Sequence, residues 1–554
     1  MPTENFAMPK IPFWVFIILA IIHFSAIRVD VMDVDASQYA EISMGMMESG
    51  DYLHVYDRGR DYLDKPPFLF WVSALSMKIF GVNNFGYKLP SILFALWALF
   101  ATYRLGRLLY GEAAGRMAAL ILGCCQGMFL MTNDIRTDTI LMSWTITAIW
   151  LIREWEVSKR LQYLLLGAAA ISFGMMTKGP IALMVPVFCF VSDWILKREW
   201  KNLFRPQYLI ALLVIALLLI PMCIGLYEQF DMHPEKVIDG KTGTSGLRFF
   251  FWTQSFGRIT GENVWSNGAP FSFLFENMLW SFLPWILLFV LALILEVKQL
   301  IVQRFRISSK QEWLTTGGFI LAYLSLGSSK YQLPHYIFVA FPLAALMVAK
   351  LLKDFFEGKY VSIYRFMKPV QMGLSSLLFV AAGLTFLFVF RGEVWVYIAW
   401  IISLAIWFIL MLRLKTARIF WSGAVAIMSA NIILTNHFYH TLVSQYQVGS
   451  KLGHLIRVQG ITPSQVNIVA LEDPVEAVHF YANGIVGRKD SSLVTSGEYL
   501  ITDATFLPSL QQKGFRYEVL DAGEYFKVSE LTPEFLNPAT RSQAVRRYCF
   551  LRVL

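Results

Sequence analysis

The chain has 554 residues, is 56% hydrophobic and 16% charged, and has a mean hydropathy of +0.52. Its apolar residues gather into runs of about 17 to 22, long enough to cross ~30 Å of hydrocarbon, which excludes an ordinary soluble globule. The formal charge of +9 lies in short clusters between those runs, and four of the five cysteines lie within them. A nucleic-acid partner, a disulfide framework and a CxxC metal site are thereby excluded.

In chain order, the first apolar run, residues 11 to 27, follows Lys10 and has the length of a signal peptide. No small-x-small cleavage site ends it and a second membrane region follows, so the expectation is a retained first span. Further spans are expected near residues 88 to 109, 113 to 132, 138 to 153, 162 to 176, 179 to 196, 207 to 227 and 274 to 296. The series continues near 313 to 327, 335 to 349, 371 to 390, 394 to 412 and 419 to 436, making about thirteen in all. Six basic loops, running from Arg104 to Arg116, Arg153 to Arg160, Lys197 to Arg205, Lys298 to Lys310, Lys350 to Lys368 and Arg413 to Arg418, fall on one face if the N-terminus is cytoplasmic. The opposite face then carries the long connections 28 to 87 and 228 to 273 and the tail. In the tail, Val466 to Ala470, Tyr499 to Thr502, Tyr517 to Leu520 and Tyr548 to Val553 have strand patterns and Pro474 to Tyr481 a helical one. The expected architecture is therefore an all-α polytopic membrane domain over residues 1–440 and a small α/β domain over residues 441–554.

Ionisable residues at membrane depth or at its boundary are costly and mark function when they converge. On the outer face stand Asp33, Asp35 and Glu41; Asp57, Arg58, Arg60, Asp61, Asp64 and Lys65; Asp134, Arg136 and Asp138; then Lys178, Arg258, Glu262 and Lys330. Lysines there can snorkel, but carboxylates gain nothing by it, and Asp35 and Asp138 are embedded beside apolar segments. Gly179 and Pro180 break the helix after Lys178, where an irregular, cavity-lining backbone is wanted. A carboxylate facing several cations suits transfer from a phosphate-linked donor: the cations hold the leaving phosphate, and the carboxylate orients or deprotonates the acceptor. The D-x-D at Asp33 and Asp35 is set aside, because no dinucleotide or P-loop motif stands in a strand-turn-helix setting. Trp252 and Trp265, in the long outer loop, are candidates to stack on a sugar.

Over most of residues 10 to 440 the chain resembles the bacterial aminoarabinose-type lipid A glycosyltransferases, relatives of the protein O-mannosyltransferases with the GT-C fold of glycosyltransferase family 39. The carriers are D-A-S-Q-Y-A-E-I from Asp35, S-G-D-Y-L from Ser49, Y-L-D-K-P-P from Tyr62, R-T-D from Arg136, T-K-G-P from Thr177, F-G-R-I-T-G-E-N from Phe256 and S-K-Y-Q-L-P-H-Y from Ser329. The resemblance implies an inverting transferase that takes a sugar from a polyprenyl phosphate donor and gives it to a lipid acceptor such as lipid A, at the periplasmic face of the inner membrane. It implies catalytic roles for Asp35 and Asp138, donor-phosphate binding by Lys65, Arg258 and Lys330, and a cavity lined by Lys178, Tyr336 and Glu41. A divalent metal is the one cofactor it raises, with Asp64, His437 and His440 as ligands. The sequence departs from the family at Ala36, where glutamate is usual, at Gln38, where arginine is common, and at Asp64, where glutamate is usual.

Two other readings stay open. The same fold could glycosylate a protein or glycan hydroxyl, for which Asp35 must act as a base. A lipid-linked sugar transporter or flippase would also bury charges in a helical bundle, though it calls for inverted halves with paired broken helices. The tail's Asp473, His479 and Asp503 are scattered and read as ordinary surface.

Overall fold

The computed structural model describes residues 8–554, apart from 239, 263, 264, 415, 416, 474, 529 and 530. Asn263 of the F-G-R-I-T-G-E-N motif, Lys415 of the last basic loop and Pro474 of the expected tail helix thus lie outside the described residues. The chain runs α1 (Phe13–Ser25), α2 (Asp35–Ser49), a hairpin of β1 (Tyr56–Asp57) and β2 (Arg60–Asp61), α3 (Phe68–Phe80) and α4 (Asn84–Tyr110). It continues through α5 (Glu112–Gly123), α6 (Gln126–Asn133), α7 (Thr137–Ser158), α8 (Leu161–Lys178), α9 (Ile181–Lys197) and α10 (Gln207–Leu226). A second small hairpin, β3 (Val237–Ile238) and β4 (Lys241–Thr242), precedes helices Phe273–Ser281, Ile286–Val302, Leu314–Gly327, Phe341–Phe356, Val361–Leu384, Val394–Arg413 and Arg418–Ile433.

Every one of the thirteen segments expected to span is largely helical, although 113 to 132 and 274 to 296 are each broken into two helices. Among the described residues, six helical stretches have by themselves the length and apolarity to cross a bilayer: Asn84–Tyr110, Gln207–Asp231, Pro334–Phe356, Val361–Val389, Val394–Arg413 and Arg418–Tyr446. The pair α5 and α6, bent by 54°, makes a seventh if it is one span. α7 falls short because its inner face is polar: Thr137, Asp138, Thr139, Ser143, Thr145 and Thr147 are all buried inside the protein. Asp138 and Thr147 find partners there, whereas the hydroxyls of Thr139, Ser143 and Thr145 are buried without one.

The first outer connection is not a loop. α2 and α3 occupy nearly half of it and pack on one another, and α3 also packs on α4. Hydropathy alone did not separate α3 as its own element, because at 13 residues it is too short to span. α10 reaches this region through Gly225, where an added Cβ would lie 2.2 Å from the Leu53 carbonyl oxygen. Lys88, fully buried in α4, ties the ends of three elements together. Its Nζ donates to the carbonyls of Ala26 at 3.2 Å, Val29 at 2.7 Å and Asn133 at 3.0 Å. Three short, charge-assisted bonds satisfy a cation that would otherwise be prohibitive at that depth.

The tail forms a five-stranded sheet in the order β6-β5-β7-β9-β8, from β5 (Val466–Val469), β6 (Gly487–Arg488), β7 (Tyr499–Asp503), β8 (Tyr517–Tyr525) and β9 (Arg546–Val553). β5 runs parallel to β6 and β7, whereas β9 runs antiparallel to β7 and β8. Strand Tyr517 to Leu520 extends beyond expectation to Tyr525 through a bulge between Val519 and Asp521, which hides the alternation on which a sequence reading depends. Helix Val448–Val458 was not expected. Its buried face includes Gly449 and Gly453 beside Val448, Leu452 and Ile456, and the glycines blur an otherwise helical stripe.

The tail docks on the start of α2. Tyr481 Oη accepts from the Val31 amide at 2.7 Å and donates to Asn84 Oδ1 at 2.5 Å. Asp33 Oδ1 accepts from the Ala477 amide at 2.8 Å and from Ser37 Oγ at 2.9 Å. Arg58, at the turn of the first hairpin, pairs with Glu476.

Candidate active site

The starts of α7 and α9, the end of α8, the residues before α3, the loop around Arg258, the end of helix Leu314–Gly327 and the turn at Pro334 meet in one cleft. Its lining includes Lys65, Asp138, Lys178, Gln254, Arg258 and Tyr336, with Leu141, Ile181, Met184, Ile259 and Val339 forming apolar walls. Five of the residues expected from the sequence therefore share one cavity.

Asp138, in the first turn of α7, is 1% exposed and accepts from Lys178 Nζ at 2.5 Å. Lys178 closes α8, where Gly179 takes φ 106° and Pro180 follows, so the chain turns sharply and leaves the ammonium aimed across at α7. The same ammonium lies 4.0 Å from the Tyr336 ring centroid. Tyr336 Oη in turn accepts from Arg258 Nη1 at 2.7 Å, and Arg258 Nη2 stands 3.8 Å from Asp64 Oδ1. Lys65 pairs with Asp64, and Gln254 Nε2 donates to Asp64 Oδ1 at 2.8 Å. Burial pushes the Lys65 ammonium down, but the Asp64 carboxylate outweighs it and holds the group above the ordinary lysine range. Burial likewise pushes Asp64 up, and the charges of Lys65 and Arg258 hold it below the ordinary aspartate range. Lys65 is therefore a fixed cation and Asp64 a fixed anion.

Asp35 opens α2 and pairs with Arg136, whose guanidinium also grips Asp134 at 2.9 Å. Tyr39, one turn along α2, lies within electrostatic reach of Asp35, Lys65 and Asp64 alike, but neither Asp35 nor Arg136 lines the cleft itself. The arrangement can hold a phosphate among Lys65, Lys178 and Arg258, with carboxylates on either side.

Three expected roles find no support in the geometry. Lys330 is exposed and absent from the cleft lining; its amide donates to the Arg258 carbonyl at 3.0 Å and its side chain lies against Gly261, so it anchors the Arg258 loop. Glu41 is buried on the other side of α2 against Asp57. Asp64, His437 and His440 do not converge as metal ligands. The Asp64 carboxylate is taken by Lys65 and Gln254, His437 Nε2 lies 2.9 Å from the Phe390 carbonyl oxygen, and His440 is exposed. Among the described residues no three His, Cys, Asp or Glu side chains group as metal ligands would. Trp252 stacks on Phe256, a cleft residue, at 5.3 Å between ring centroids, and donates to Glu262 at 3.2 Å.

Glu41 gives a pH signature. Its carboxyl is pushed up to about 8, first by burial and then by the neighbouring Asp57 carboxylate, and its Oε2 has no hydrogen-bond partner. The folded state thus favours the protonated acid. That stabilisation is whole below the unfolded value of ~4.3 and is lost as pH rises through about 8. Glu41→Gln keeps the neutral shape, so it should raise the melting temperature by a few degrees at alkaline pH and leave it unchanged near pH 5. Scanning fluorimetry of the purified protein at both pH values would check this.

The sequence profile of the family described as dolichyl-phosphate-mannose-protein mannosyltransferase matches residues 64–224. The structure is similar to ArnT from Cupriavidus metallidurans, bound to undecaprenyl phosphate and in the apo state. Both superpose with a TM-score of 0.71 at 16% identity over 97% of this chain, and over 98% and 97% of theirs. The chain has the GT-C fold of that protein. In sequence it is 30% identical over 322 residues to an undecaprenyl phosphate-alpha-4-amino-4-deoxy-L-arabinose arabinosyl transferase from Edwardsiella ictaluri, covering 56% of this chain and 54% of the relative. A similarly named transferase from Pseudomonas fluorescens is 28% identical over 360 residues, 63% of this chain and 59% of its own. The chain spans a little over half the length of the curated relatives it matches. The family resemblance carried by the motifs is borne out, as is the helical GT-C architecture with a small C-terminal sheet.

Two groups at the site were missed by the sequence reading. Arg136 was noted among the outer-face charges but given no role, although it holds Asp35. His335 stood within S-K-Y-Q-L-P-H-Y but was given no role, although Pro334 starting a helix before two adjacent aromatic rings was a usable signal.

Proposed function

We propose that the chain is a membrane glycosyltransferase that moves a sugar from a polyprenyl phosphate donor to a lipid acceptor of the lipid A type. The observation that carries the reading is the convergence of Lys65, Lys178 and Arg258 around Asp138 in a cleft with apolar walls. Three cations next to a carboxylate suit a leaving phosphate, and the apolar walls suit its lipid chain. An acceptor oxygen attacks the anomeric carbon from the face opposite the carrier. The bond from that carbon to the carrier oxygen breaks, and its electron pair leaves with the phosphate, inverting the centre. Lys65, Lys178 and Arg258 balance the charge that gathers there, while Asp35, steadied by Arg136, accepts a hydrogen bond from the acceptor, orients it and takes the proton that the attacking oxygen gives up. The relatives' names make 4-amino-4-deoxy-arabinose the first sugar to test.

In this reading the N-terminus is cytoplasmic, about thirteen helices cross the inner membrane, and residues 441–554 form a periplasmic domain beside the cleft. The basic loops support the orientation, because all six then fall on the cytoplasmic side. Mass spectrometry of the lipid A fraction from cells expressing the unaltered chain or Asp35→Asn is the test. An added pentose- or hexose-sized mass with the unaltered chain alone is expected. Its absence from both samples, with both proteins in the membrane, would redirect the search to protein or glycan acceptors.

A further inference from the structure

Asp138 is held from two sides, and only one of them belongs to the phosphate-binding set. Its Oδ1 accepts from Lys178, while its Oδ2 faces His335 Nε2 at 3.6 Å. His335 comes from the turn after Pro334, on a different element from either partner. Its ring packs edge-on against Tyr336 at 5.3 Å, which fixes its plane. Arg136, Lys178 and Lys65 all lie within electrostatic reach of it. A charged imidazolium would add a fourth cation to that group, so the neutral ring with its proton on Nε2 suits the site better.

The proposed reaction sets Lys178 two incompatible tasks. Its ammonium is locked on a buried carboxylate, yet a donor phosphate in the cleft needs that cation. Leaving Asp138 without a partner at 1% exposure would be costly, because a buried carboxylate stripped of its donor bears the full desolvation penalty. We propose that His335 is a positioning residue that takes over Asp138 when Lys178 turns to the donor phosphate. A small rotation closes the 3.6 Å gap to a hydrogen bond. Lys178 has a path to follow, since its ammonium already rests over the Tyr336 ring whose hydroxyl is fixed by Arg258. His335 thereby sets how readily the cleft yields its cation, and so the affinity for the carrier. It takes no part in the bond changes themselves.

The inference rests on the proposed function, and its test separates the two. Undecaprenyl phosphate is titrated onto the purified full-length chain in detergent and followed by native mass spectrometry. His335→Ala should weaken binding about tenfold, the worth of one charge-assisted hydrogen bond. His335→Gln, which keeps a donor near the Nε2 position, should recover most of that loss. In an Asp138→Asn background Lys178 is no longer sequestered, so adding His335→Ala should cost less than about twofold. Binding by His335→Ala equal to the unaltered chain, or a full tenfold loss persisting in the Asp138→Asn background, would overturn the role, and the second result also exposes simple misfolding. Failure of the unaltered chain to bind the carrier would overturn the functional reading, and this inference with it.

Discussion

Lys65→Ala should lower kcat/KM for sugar transfer by ~10²–10³, the usual effect of removing one preorganised group that stabilises developing charge. The loss has two parts. One cation facing the leaving phosphate is gone. The other part comes from Asp64, whose charge in the folded protein is balanced by Lys65. Without that partner Asp64 would draw Arg258, now 3.8 Å away, out of its place beside Tyr336 and would repel the phosphate directly. The double variant Asp64→Asn/Lys65→Ala should therefore be about tenfold more active than Lys65→Ala alone. Transfer of labelled sugar from a polyprenyl phosphate donor in isolated membranes, with the amount of protein normalised by immunoblot, gives both numbers. If the double variant were no better, Asp64 would have a positive role of its own and the charge-balance account of the pair would fail. Arg258→Lys should also lose most turnover, because a single ammonium cannot reach Tyr336 Oη and a ligand oxygen together.

How much of this was legible beforehand follows from the kind of signal each feature leaves. Asp138, Lys178, Lys65, Arg258 and Tyr336 were accessible because charges beside long apolar runs stand out against the cost of putting them there, and because their motifs kept family order. All five meet in the cleft. Lys330 carried the same signal and does not point inward, since sequence places a lysine at the mouth but says nothing of its direction. Glu41 was misassigned for a geometric reason: it is six residues after Asp35 on one helix, so it points away from the Asp35 side. Pairings across distant segments, such as Arg136 with Asp35 or Lys88 with three carbonyls, leave no local pattern at all. The helical bundle was legible segment by segment. The two-residue strand β6 and the glycine-containing helix Val448–Val458 were not, because neither sustains a clean period.

Glu476→Lys is expected to reduce turnover ~100-fold while the chain still reaches the membrane, although Glu476 belongs to the tail and lines no part of the cleft. Burial pushes Glu476 up, but its hydrogen bond to His479 and the charge of Arg58 prevail and hold it at about 2. It is thus anionic throughout the physiological range, and a lysine there would set two cations face to face. Arg58 passes the effect on: it donates to Asp57 at 3.0 Å, and Asp57 accepts from Gln38 on α2 at 2.9 Å. Next to Glu476 in the chain, the Ala477 amide holds Asp33, two residues before Asp35. The tail therefore grips α2 on both sides of its first turn, and loosening that grip lets the Asp35 carboxylate leave the geometry set by Arg136. Small displacements of a reacting group cost this much even when nothing in the cleft is altered. The compensating pair Arg58→Glu/Glu476→Lys restores one cation and one anion at the same two positions. Because the introduced glutamate also faces Asp57, which Arg58 holds in the unaltered chain, recovery should be partial, about tenfold over Glu476→Lys alone, and the double-mutant cycle should show a coupling well above that of an exposed ion pair. Equal loss in the single and double variants would mean that the tail holds α2 through shape and the Asp33 and Tyr481 hydrogen bonds, with the ion pair contributing little.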